Sequence, residues 1–110
     1  MRFAMIGIDR SIGVYDALVA AGWTPVRLIT PPVDNFVDFN SEIIKRAGAL
    51  KLPTQMSRPT DSDLRHLAED GGDTLVVCYC PWRIGDWSAH LRHAINFHPS
   101  PLPKGRGPFP

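Results

Sequence analysis

Asn96 and His98 are the two residues whose types and spacing best suit chemistry. They close an apolar run, Ala94-Ile95-Asn96-Phe97. In a strand, residues two apart share a face, so these side chains lie together while Phe97 points the other way. An amide N–H donates to a developing oxyanion, and an imidazole moves a proton near neutral pH. The pair suits attack on a carbonyl whose oxygen becomes negative. The plainer reading of the same spacing is a strand-ending Asn followed by a turn His. Prolines at 99, 101 and 103 then stiffen the backbone. Lys104 and Arg106, set among glycines, can approach a phosphate or carboxylate closely. The alternative is a stiff connector with solvated charges.

These residues need a frame to hold them. Phe3 to Ile8 reads as a first strand, and Ser11 is placed to cap a helix over Val14, Ala17, Leu18 and Ala21 that Gly22 stops. Val26 to Ile29 is a second strand, and Asn40 to Gly48 is helical with Ile43, Ile44 and Ala47 on one side. Leu52 to Thr54 is a short third strand. Thr60 with Asp63 three residues on predicts a capping box, opening a helix through Leu64, Leu67 and Ala68 that Gly71-Gly72 ends. Thr74 to Tyr79 is apolar enough for a strand covered on both faces. Asp86 is placed to cap a short helix ending near Leu91, before the last strand, Ala94 to Phe97. This alternation predicts an α/β fold: a Rossmann-like, mostly parallel sheet of about five strands with helices on both faces. Ligands bind such sheets outside the carboxyl ends of the strands. Gly7, the Tyr79–Arg83 segment and Asn96 lie at such ends.

Bulk properties narrow the classes. The chain has 110 residues, a formal charge of +1 and no block of like charge, which argues against a nucleic-acid platform. No apolar run approaches the roughly 18 residues of a membrane span, and the N-terminus reads as a strand, not a leader. Cys78 and Cys80, one residue apart in an expected strand, run parallel and pair poorly as a disulfide, so a reducing cytoplasm is the expected location. With His90 and His93 they match no standard zinc spacing, and no metal site is expected. No G-x-S-x-G elbow points to a hydrolase. Gly7 to Gly13 is not a dinucleotide fingerprint, because Asp9 stands at its third position.

The segment Asn96-Phe97-His98-Pro99-Ser100-Pro101-Leu102-Pro103-Lys104-Gly105-Arg106-Gly107 resembles the hallmark of the 10-formyltetrahydrofolate-dependent formyltransferases. Their pattern is roughly N-[IF]-H-P-S-x-L-P-x-x-x-G, and each fixed position is met. The resemblance is sharp only here; the rest fits the family's Rossmann-like N-terminal part in outline. It implies formyl transfer from 10-formyltetrahydrofolate to a small-molecule amine, an amino sugar on a nucleotide ahead of aminoacyl-tRNA. Asn96 and His98 become catalytic residues, and Ser100, Leu102, Lys104 and Arg106 the substrate loop. Trp82, Arg83, Ile84 and Gly85 stand where the family lines its pterin pocket. The family's third catalytic residue, an Asp, lies beyond that loop, whereas acidic residues here end at Asp86. The resemblance thus implies that residues 1–110 form part of a domain, inactive alone. The alternative is a formyltransferase-like module that binds a ligand or partner without turnover. A partial sheet would leave an uncovered strand edge and face, which predicts association through that surface or a disordered tail.

Overall fold

The strands form where apolar runs are unbroken, and the helices where apolar residues recur three or four apart. A computed structural model describes residues 1–33 and 38–97. Its elements are β1 (Arg2–Ile6), α1 (Ile12–Ala20), β2 (Thr24–Ile29), α2 (Ser41–Ala49), β3 (Thr54–Gln55), α3 (Asp61–Glu69), β4 (Thr74–Val77) and β5 (His93–Asn96). Short 3-10 turns occur at Asp9–Ser11 and Trp87–Ala89. All five strands pair in parallel in the order β3-β2-β1-β4-β5. This is the expected Rossmann-like arrangement.

The strand order reverses direction at β1, and the helices change face with it, as crossovers of one hand require. Phe3, Met5, Leu28 and Val76 pack against Tyr15 of α1 and Ile43 and Ala47 of α2. On the opposite face, Ala4, Ile6, Ile29, Leu75 and Val77 pack against Leu64 and Leu67 of α3. β4 is buried at every position. Among the described residues β5 pairs only with β4, and its His93, Ala94 and Asn96 are exposed.

Local signals and observed caps agree at α3. Thr60 Oγ1 accepts from the Asp63 N–H at 3.2 Å, and Asp63 Oδ2 accepts from the Thr60 N–H at 2.8 Å. The Thr60 N–H is the main reason the Asp63 carboxyl titrates below its ordinary value. Gly71 follows at φ 91°, a left-handed conformation that suits a helix stop.

Elsewhere longer-range contacts override local expectation. Ser11 does not cap α1 with its side chain; its hydroxyl accepts from the Ile8 N–H at 3.1 Å and closes the preceding turn. The N-terminus of α2 is served by Asp9, whose Oδ1 accepts from the Ile43 N–H at 2.9 Å. The expected strand over Thr74–Tyr79 stops at Val77. The Cys78 and Tyr79 N–H groups both donate to the Ile6 carbonyl, at 2.8 and 3.2 Å, and this sharing breaks the ladder. Cys78 and Cys80 consequently do not share a face. Cys80 is buried in the α3-side core, and Cys78 packs against the α1-side core. The helix expected from Asp86 to Leu91 is only the 3-10 turn Trp87–Ala89. Asp86 does cap it, accepting from the Ser88 N–H at 3.1 Å. One turn cannot repay helix nucleation, and burial of Leu91 draws the chain inward. No helix among the described residues is long and apolar enough to cross a membrane.

Candidate functional site

The carboxyl ends of β1, β4 and β5 lie side by side, but they border two cavities, one on each face of the sheet, and not one shared crevice. Asn96 stands opposite Val77 in the β4–β5 register. It lines a cavity of about 280 Å³ on the α3 side, with Leu75, Val77, Ala94 and Ile95 of the strands and Ile84 and Trp87 of the β4–β5 loop. Phe97 lines the other, a crevice of about 210 Å³ on the α1 side, with Ile8, Arg10, Ser11, Val14, Cys78 and Tyr79. Asn96 and the residue after it, Phe97, thus border different cavities.

Among the described residues the Asn96 side chain makes no hydrogen bond, and it is exposed. Its two N–H donors are therefore available to a ligand. The walls around it are apolar, which strengthens any hydrogen bond made there once water is excluded.

The residues expected along the pterin pocket divide. Ile84 shares the cavity with Asn96. Trp82 is half-buried against the α3-side core, and its carbonyl accepts from the Cys80 thiol at 3.3 Å. Arg83 and Gly85 are exposed and do not line this cavity. Trp87 does line it and was not among the expected residues. It lies three residues past Ile84, and placing it inside a helix hid it. His98, Ser100, Leu102, Lys104 and Arg106 lie outside the described residues.

The α1-side crevice has a different character. Arg10 reaches Asp38 at 3.1 Å, and the Asp9 N–H donates to the Phe39 carbonyl at 2.8 Å. These bonds tie the turn after β1 to the chain entering α2. Burial pushes the Cys78 thiol up to about 11, although a hydrogen bond with Ser11 opposes the shift. Cys78 is therefore a neutral thiol at pH 7, a poor nucleophile and metal ligand. Burial also raises Cys80. Among the described residues no group of three or more His, Cys, Asp or Glu side chains could hold a metal ion.

No family model matches this chain, and no curated protein matches it.

Proposed function

We propose that this chain belongs to a site that transfers a formyl group from 10-formyltetrahydrofolate to an acceptor amine. The single observation that carries the reading is the position of Asn96. The first residue of the formyltransferase-like segment 96–107 stands at a strand's carboxyl end with a free amide, in an apolar cavity. At about 280 Å³ this cavity is near the lower size limit of ligand pockets. It suits one flat ring system between the Ile84 and Trp87 side and the strands, in keeping with a pterin.

In the proposed reaction the acceptor nitrogen attacks the formyl carbon, and the carbonyl oxygen gains negative charge. Asn96 Nδ2 donates to that oxygen. His98 stabilises the same charge and takes part in moving the proton released by the attacking amine. Cleavage of the bond between the formyl carbon and the folate nitrogen leaves the formylated amine. That folate nitrogen leaves protonated. The favoured acceptor is an amino sugar on a nucleotide, ahead of aminoacyl-tRNA.

Calorimetry with 5-formyltetrahydrofolate should give heat and quench Trp87 fluorescence. Formyl transfer by the full gene product should fall about 100- to 1000-fold with Asn96→Ala or His98→Ala. Unchanged turnover in both variants would sink the catalytic assignment. A second reading, binding without turnover, is favoured by one fact: none of the described residues that line this cavity carries an ionisable side chain. Folate binding with no formyl transfer by the full gene product would select it.

A further inference from the structure

The wall opposite β4 and β5 in the α3-side cavity comes from the loop between them, residues 78–92. That loop has little regular structure of its own, only the 3-10 turn Trp87–Ala89. Its buried anchors are Cys80 and Leu91, both in the α3-side core. Between them, Ile84 and Trp87 are only partly buried, and both face the cavity. Something must fix the stretch that carries them.

His90 meets that need. Its Nε2 lies 2.8 Å from Asp61 Oδ1. A carboxylate only accepts, so Nε2 carries the proton in this bond. Among the described residues it is the only side-chain hydrogen bond from this loop to α3. The two ends differ in a useful way. Asp61 is the first residue of α3, and the Thr60–Asp63 capping box fixes that turn. The His90 ring is largely covered, its side chain 18% exposed, whereas the Asp61 side chain is 77% exposed. On the loop side, the His90 and Leu91 N–H groups both donate to the Trp87 carbonyl, at 3.1 and 2.9 Å. The chain of contacts therefore runs from the α3 cap through Asp61 and His90 to the backbone of Trp87.

We propose that His90, through Asp61, is a positioning residue that sets the place of Trp87 and hence the width of this cavity. The loop-holding role stands on geometry alone, and only the identity of the ligand rests on the folate reading above.

Two measurements on the full chain separate these claims. Without ligand, hydrogen exchange at the His90 and Leu91 amides should speed up in His90→Ala and Asp61→Ala, while Thr74 to Val77 keep their protection. His90→Gln, which retains a donor, should restore slow exchange. With 5-formyltetrahydrofolate as probe, His90→Ala and Asp61→Ala should each weaken binding about two- to fivefold. The double variant should be no weaker than either single one, as expected for partners in one contact. Unchanged exchange in both alanine variants, or additive losses in the double variant, would overturn the positioning role. Faster loop exchange in a protein that binds no folate would leave the positioning role standing and overturn the folate reading.

Discussion

β4 and β5 lie side by side with the same direction and in register, from Thr74 opposite His93 to Val77 opposite Asn96. One is buried at every position, and the other is exposed at three of four. β4 has a strand on each side and helices on both faces, whereas among the described residues β5 has only β4. A shared direction and register therefore still yield two kinds of strand. β4 excludes water and carries stability. β5 borrows its position from β4 and leaves the Asn96 amide exposed. A polar side chain at a sheet edge costs little to hold, because its donors remain solvated.

The sharpest test of this contrast is truncation at two neighbouring positions. Leu75→Ala should destabilise by about 2–5 kcal/mol, and Ile95→Ala by less than about 1.5 kcal/mol, measured by urea denaturation. Equal costs would erase the distinction between the strands. Thiol reactivity probes the buried side next. With its thiol pushed up to about 11 from 9.0, native Cys78 should react with iodoacetamide at pH 8 about a hundredfold more slowly than the unfolded chain. Labelling at the unfolded rate would mean that the end of β4 is open to solvent.

Acid should loosen the shared entry to the two strands. Asp73 accepts from the Thr74 hydroxyl at 2.6 Å and from the Arg2 N–H at 3.2 Å, and its carbonyl receives the Arg92 and His93 N–H groups. The Thr74 bond is the largest cause of its lowered titration. A depressed folded-state value gives stability that is present above the unfolded value, about 4, and is lost as pH falls through the folded one. Asp73→Asn should flatten that part of the melting-temperature profile; an unaltered profile would remove Asp73 from the account. The smallest expected effect is at the edge itself. Asn96→Ala should change stability by no more than about 0.5 kcal/mol, and a larger loss would assign Asn96 a structural duty.

The sequence by itself determined what depends on near neighbours. The strand and helix alternation, the Thr60–Asp63 box, the glycine stop at Gly71 and the opposite facing of Asn96 and Phe97 all follow from caps and periods within a few residues. Element ends were less legible. The last two residues assigned to β4 belong to a bend because the Ile6 carbonyl, far away in the chain, draws in two N–H groups. The candidate site was legible at Asn96 and Ile84 but not at Trp87, whose place depends on where the loop crosses α3. Only the tertiary structure decided that Asp9 serves α2, that Cys78 and Cys80 part into different cores, and that the strand ends border two cavities. Those outcomes rest on contacts between distant residues, and burial selects such contacts only after the sheet has assembled.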